Sequence, residues 1–216
     1  MTRLVFFCIT LLCSSTASAA LSQSLDFQIL LDDKQIGSHT FEITAEEDQV
    51  EVHSTANMEV KVLFVPVFKY KHEAKEVWQG SCLQQIESAT RVQGKQYTLR
   101  GRETPVGFVV ASTQDKRPLV TDEAQGCVSS YAYWDKERLQ RDVLVNSQTG
   151  QLSFSQLQNN GEQLIPNSTV SAQQFALKTD EADILLWYDT DGRWVALQTE
   201  TNGRTLNYIS RALLGK

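Results

Sequence analysis

The residues of this chain equipped for chemistry are few and scattered. Its three histidines, His39, His53 and His72, fall in separate strand-like segments. No His-x-His or His-x-x-x-His spacing brings two imidazoles to one metal ion, so a zinc site would have to be assembled across strands. Polar side chains on strand faces are the simpler reading. A Ser–His–Asp constellation can be drawn through most chains of this size, but the Gly-x-Ser-x-Gly elbow that exposes a nucleophile is absent. Paired carboxylates such as Asp32-Asp33, Glu46-Glu47 and Asp122-Glu123 fall in turn-like polar surroundings. The eleven glycines are dispersed and build no phosphate loop. Asp189-x-Asp191-Gly192 resembles the start of a calcium loop but lacks the later bidentate Glu. The expectation is no metal, no cofactor and no assigned catalytic residue, with the question of an enzyme leaning towards no.

The first twenty residues carry a different kind of signal. Arg3 is the only charged side chain before Asp26, residues 4–12 are an apolar run, and Ala17-Ser18-Ala19 precedes Ala20. A basic start, a short apolar stretch and a small-residue cleavage site make a secretory signal peptide. The run is too short to span a bilayer, which takes about 20 residues. The expectation is a leader over residues 1–19, cleaved near Ala19, and a single β-rich domain over 20–216 that is periplasmic or secreted. Lipidation at Cys13 is the competing reading, disfavoured because Leu12 and not a small residue precedes it.

Losing Arg3 leaves 19 basic against 26 acidic residues, a net charge near −7. That balance argues against nucleic acid or an anionic surface as the main partner. No apolar stretch after the leader reaches membrane length, so an integral membrane protein is not expected either. Cys82 and Cys127 remain after cleavage. In an oxidising compartment an even pair is most simply a disulfide. Two separate thiols, or a metal or redox pair, are the alternatives, and no Cys-x-x-Cys or neighbouring His supports the latter.

The elements that must position these residues read as strands almost throughout. Residues 25–29, 36–43 and 50–53 alternate apolar and polar side chains, with polar turns between them. A long β segment follows to about Val65, then strands over 68–78, 83–92, 96–102, 106–111, 151–158 and 170–177. Residues 127–139 are the exception: Val128, Tyr131, Ala132 and Leu139 match a helical stripe, which predicts short helices near 128–140. Near the end, Asp191-Gly192 and Asn202-Gly203 suit two-residue hairpin turns. Two such turns would pair Tyr188 with Val195, Leu186 with Leu197, and Leu197 with Tyr208. One face would then carry Tyr188 and Val195, the other Trp187 and Trp194, and both faces would need cover.

The stretch over residues 60–70 (Val-Lys-Val-Leu-Phe-Val-Pro-Val-Phe-Lys-Tyr) departs from a solvated strand. It reads first as a central strand bent at Pro66 and buried on both faces. It reads second as the wall or lip of a cavity for a hydrophobic ligand, with Lys61, Lys69 and Lys71 meeting an anionic head group. On the second reading Leu63, Phe64, Val67, Phe68 and Tyr70, with Tyr131 and Trp134, are the candidate ligand-binding residues.

Several motifs together resemble a family of uncharacterised exported bacterial proteins, a domain of unknown function. They are Ile36-Gly37 with Thr40-Phe41, the Val60 to Phe64 stretch, Tyr70 to Trp78 with Gly80-x-Cys82-Leu83, and Cys127-Val128 with Tyr131-Ala132-Tyr133-Trp134. Asn146-x-Gln148-Thr149-Gly150 and Leu186-Trp187-Tyr188 with Gly192-Arg193-Trp194 complete the set. This resemblance implies no activity. The closing Leu-Trp-Tyr-Asp-x-x-Gly-Arg meander is remotely similar to periplasmic lipoprotein carriers, whose half-barrels hold acyl chains. The combined expectation is a mainly β fold, a strongly curved antiparallel sheet or half-barrel. Its leading role is non-catalytic binding of a hydrophobic or lipid-like ligand. A cell-envelope protein-interaction or scaffold module and a hydrolase with a site assembled across strands are the alternatives.

Overall fold

The computed structural model describes residues 20–63, 65–114, 117–124 and 126–214. The first arm of the chain contains β1 (Leu21–Leu31), β2 (Lys34–Glu46), β3 (Gln49–Val62), β4 (Val65–Gln79), β5 (Cys82–Val92), β6 (Lys95–Thr104), β7 (Gly107–Gln114) and β8 (Arg117–Ala124). The second contains β9 (Ser129–Ser130), β10 (Val143–Val145), β11 (Leu152–Leu164), β12 (Ser171–Thr179), β13 (Asp183–Tyr188), β14 (Trp194–Thr201) and β15 (Arg204–Ser210), then α1 (Arg211–Leu214). All fifteen strands form one sheet in the order β8-β7-β6-β5-β4-β3-β2-β1-β15-β14-β13-β12-β11-β10-β9. Every pairing is antiparallel except β9 with β10. Two meanders are thus joined edge to edge where β1 pairs with β15.

Strand-face alternation decides how this sheet bends. On β4, His72, Ala74, Glu76 and Trp78 are buried while Lys71, Glu73 and Lys75 are exposed. The exposed set exchanges ion pairs on the outer face, Lys71 with Glu73 and Lys75 with Glu51. The buried set meets side chains from the other arm. Phe41, Val52, Ile86 and Phe108 share one apolar cluster with Leu177, Ile184, Leu186 and Leu197. Strands so far apart in sheet order can share a core only if the sheet curls around it, and it does so without closing. Close approach of neighbouring strands fixes one glycine: a Cβ on Gly37 would lie 1.9 Å from the Asn57 carbonyl oxygen.

Residues 126–150 form a strap across the concave face. Its entry is bonded to the β4–β5 hairpin by the Cys82–Cys127 disulfide, with Cα atoms 5.0 Å apart, and by Leu83 N donating to Val128 O. Its exit is seated by Gly150, whose φ of +82° places it against Leu99 and Val110. The short helices expected near 128–140 are absent. Turns take their place, with Asp135 N bonded to Ala132 O and Arg138 N to Asp135 O. Val128, Ala132 and Leu139 are buried, so the stripe was genuine, but it packs turns onto the sheet interior and not a helix. The two residues of β9 take the backbone bonds a first helical turn would have used.

The closing meander has one turn as expected and one that is longer. Leu186 pairs with Leu197 and Leu197 with Tyr208, while Asn202 and Gly203 both have positive φ in a two-residue turn. The Asp191-Gly192 turn is longer, running over 189–193, where Asp189 N donates to Arg193 O and Gly192 N to Asp189 O. A bulge therefore pairs Tyr188 with Trp194 in place of Val195. One residue of shift exchanges faces, so Trp194 lies in the concave core and Val195 outside. The outer face is covered as expected: Trp187, Val195, Ala196 and Ile209 pack with Ile165 and with Leu213 of α1.

Candidate functional site

Between the strap and the concave face lies a cavity of about 390 Å³. On its sheet side β2 supplies His39 and Phe41, β3 supplies Val52 and Ser54, and β4 supplies Tyr70, His72 and Glu76. The strap roofs it with Tyr131, Tyr133 and Trp134, then with Asn146, Ser147 and Gln148. The far arm closes it with Glu181, Ile184 and Tyr208.

Hydrogen bonds tie roof to walls. Tyr70 OH donates to Gln148 Oε1 at 3.1 Å. Tyr131 OH and Asn146 Nδ2 both donate to Glu181 Oε2, at 3.0 and 2.7 Å. Asn146 Oδ1 accepts from the backbone N–H groups of Gln148 and Thr149, which shapes the loop that delivers Gln148. At the closed end Trp78 Nε1 donates to Glu76 Oε2 at 3.1 Å. The Arg138 guanidinium packs against both the Trp78 and Trp134 rings, 4.7 and 4.8 Å from their centroids, where the two indoles meet edge to face.

Burial makes this interior poor in charge. It lowers His39 to about 3, with His72 adding to the effect, and lowers His72 to about 4, so both imidazoles are neutral at pH 7. It raises the Glu76 carboxyl, against the opposing hydrogen bonds from Ser130 and Trp78 and the field of Arg138. It pushes the Tyr208 phenol up to about 12 and raises Tyr70 and Tyr133. His39 stacks near Phe41, with centroids 4.1 Å apart, and both its ring nitrogens are buried without a hydrogen-bond partner among the described residues. An unmade bond of this kind costs about 1–3 kcal/mol. The arrangement is an aromatic, low-charge pocket with hydrogen-bonding groups on its rim.

A Ser–His pair occurs inside it. Ser147 Oγ is 3.4 Å from His72 Nε2, and His72 Nδ1 is 2.8 Å from Thr90 Oγ1. The third member is a hydroxyl, which cannot stabilise an imidazolium as a carboxylate does. An imidazole held at about 4 is also a weak base at neutral pH. Among the described residues no group of three or more His, Cys, Asp and Glu side chains is arranged to hold a metal ion.

Of the candidate ligand-binding residues, Tyr70, Tyr131 and Trp134 meet in the cavity. Leu63 and Val67 do not: they lie exposed on the β3–β4 hairpin, with Phe68 half-buried. Phe64 lies outside the described residues. The stretch over 60–70 is therefore not one buried strand. Leu63, at φ +48°, opens a turn that folds β4 back on β3. His39 and His72 converge across strands, whereas His53 stands on the outer face beside Lys75 and Glu87. The signal for His72 was present in the sequence, because it shares a period-2 stripe with Ala74, Glu76 and Trp78. Nothing local indicated that Ser147, Glu181 and Tyr208 would join it.

An open, strongly curled antiparallel sheet with a disulfide-tethered strap defines the class, a barrel-like β domain. The chain belongs to the family DUF6134, a domain of unknown function, whose model matches residues 27–211. Among solved structures it is similar to a Brucella abortus protein described as a beta-barrel-like protein of domain of unknown function DUF1849. The TM-score is 0.64 at 9% sequence identity, covering 88% of this chain and 95% of that one. At that identity the likeness speaks for the fold alone. No curated protein matches the chain. Among the described residues no helix is long and apolar enough to cross a membrane.

Proposed function

We propose that this is an exported periplasmic protein that holds a hydrophobic or lipid-like ligand without transforming it. The observation that carries the reading is the roofed aromatic cavity of about 390 Å³ on the concave face. Its volume is near the lower end of small-molecule sites, about 300–1,000 Å³. A compact amphiphile suits it better than a long acyl chain. The apolar body would lie among Phe41, Trp134 and Ile184, and the polar end would face Gln148 and Glu181 at the strap. Neutral histidines and phenols favour an uncharged buried portion, because an isolated ion there would lack a counter-charge. Export rests on the leader-like residues 1–19.

Native mass spectrometry of the protein isolated from its own cell envelope, followed by organic extraction, is the direct test. A bound small mass that Trp134→Ala or Tyr131→Ala depletes is the expected result. Protein that is always empty, with the strap side chains collapsed into the cavity, would overturn the reading.

A further inference from the structure

The β3–β4 hairpin outruns the sheet that contains it. The last row that joins β2, β3, β4 and β5 is Gly37, Met58, Tyr70 and Val92. Beyond it, residues 59–62 and 65–69 ladder with one another, through Val60 with Phe68, Lys61 with Pro66 and Val62 with Val65, and Gln93 N reaches back to Lys69 O. Gln93 steadies the base, where its side chain accepts from Lys69 N and donates to Val67 O. Four residues of strand beyond that row reach about 13 Å at about 3.3 Å per residue.

What this finger carries does not suit a free end in water. Leu63 is 88% exposed, Val65 60% and Val67 48%. A two-stranded ribbon is marginal alone, and these side chains belong to neither apolar cluster of the protein. Leu63 also holds the left-handed conformation at its turn, at φ +48°, where Asn or Gly would sit without strain. Stability therefore does not account for an apolar residue at this position.

The charges around the tip select among partners. Glu59 is the one carboxylate within residues 59–69 and faces two lysines, Lys61 at 3.1 Å and Lys69 at 3.5 Å. At the base Lys71 is paired with Glu73, and Arg91 adds positive charge with no ion pair among the described residues. Exposed pairs such as Lys61–Glu59 hold weakly and can be exchanged for other anions. The chain as a whole is acidic. The finger nevertheless reaches farther than the screening length of about 8 Å at physiological salt, so the distant negative charge is muted at its tip.

We propose that the β3–β4 finger docks this protein peripherally on an anionic lipid surface, with Leu63, Val65 and Val67 entering the interface and Lys61 and Lys69 meeting lipid phosphates. An apolar apex with cations set back from it matches the depth order of a bilayer interface, acyl boundary first and phosphates behind. The inference stands independently of what fills the cavity.

The test uses the chain from Ala20 onward, which holds every one of the fifteen strands and leaves out the apolar leader. Co-sedimentation is measured with vesicles of phosphatidylcholine alone and of phosphatidylcholine with phosphatidylglycerol in equal proportion. Binding to the anionic vesicles, weakened by salt, is expected. Leu63→Asp should lower it about tenfold or more, since one buried leucine side chain carries that much partition free energy. Lys61→Glu with Lys69→Glu should remove the preference for anionic vesicles. Phe154→Asp, at a residue 72% exposed on β11 away from the finger, should leave binding unchanged. No binding to anionic vesicles, equal binding to neutral ones, or equal loss with Phe154→Asp would overturn the proposal. So would self-association that Leu63→Asp abolishes without vesicle binding, which would assign the finger to a second copy. Hydrogen exchange confirms that each variant keeps the sheet.

Discussion

Replacing Arg138 by Ala tests whether the strap is held by one buried cation or by many small contacts. The Arg138 side chain is 8% exposed and its Nε donates to Asp135 Oδ2 at 2.9 Å. Its Nη1 donates to Gly80 O in the β4–β5 hairpin, and its guanidinium packs in the corner formed by the perpendicular Trp78 and Trp134 rings. Removing one partner of a buried ion pair costs about 3–5 kcal/mol. Asp135 is 31% exposed, and water can re-solvate it, which points to the lower end, about 3 kcal/mol. For a chain of about 150–250 residues each kcal/mol moves Tm by about 2–4 °C, so a fall of about 6–12 °C is expected. Arg138→Met separates two components, since it keeps apolar bulk against the two rings and loses the charge and its donors. It should recover less than half of the loss. Arg138→Lys should recover little, because a point ammonium reproduces neither the stacking nor the paired donation. Calorimetry gives the Tm, and tryptophan fluorescence reports whether Trp78 and Trp134 separate first. A drop under about 2 °C for Arg138→Ala would refute the reasoning, because it would place this pair among exposed ones of about 0–1 kcal/mol.

Two further outcomes follow from the same interior. Cys82→Ser with Cys127→Ser opens a loop of sequence separation 45 and should cost about 4 kcal/mol in urea titrations; an unchanged midpoint would mean the strap contacts already restrict the unfolded chain. His39 and His72 are held at about 3 and about 4 against 6.5 when unfolded, so below pH 6.5 the unfolded chain binds more protons. Stability should therefore fall as pH drops from 6.5 towards 4, by about 1.4 kcal/mol per pH unit for each histidine. Glu76 opposes this from pH 4.5 upward, because the fold keeps a proton that the unfolded chain has lost. His72→Gln should make the acid slope of urea-measured stability shallower; identical slopes would show that His72 protonates in place.

The legible part of the fold was whatever a single strand or turn determines by itself. Alternation located nearly every long strand, and the positive φ demanded by Asn202-Gly203 placed one hairpin to the residue. The neighbouring turn misled because Asp189 bonds across to Arg193, a side-chain and backbone choice that Asp191-Gly192 does not announce. The strap was misread for a related reason. Val128, Ala132 and Leu139 are spaced like a helix face, yet the sheet interior competes for the same side chains and the disulfide and β9 fix the backbone first. The site was legible in part: the aromatic strap residues Tyr131 and Trp134 stood out locally. Ser147, Glu181 and Tyr208 did not, since their meeting with His72 depends on how far the sheet curls, which is a property of fifteen strands together.

Tyr70 is where the separate observations meet. It belongs to the last full row of the sheet, so the finger begins immediately beyond it. Its ring lines the cavity, and its hydroxyl holds Gln148 of the strap. A displacement of the finger root must therefore be absorbed either by the Tyr70–Gln148 bond or by the strap itself. The strap is anchored at Cys127, Val128 and Arg138, all near the opposite end of β4. The end nearest the finger is held by hydrogen bonds to Tyr70, Glu181 and Ser88, each worth about 1 kcal/mol net, and by no covalent link. Opening of the roof should thus begin at residues 146–148, beside the finger, and not at the disulfide.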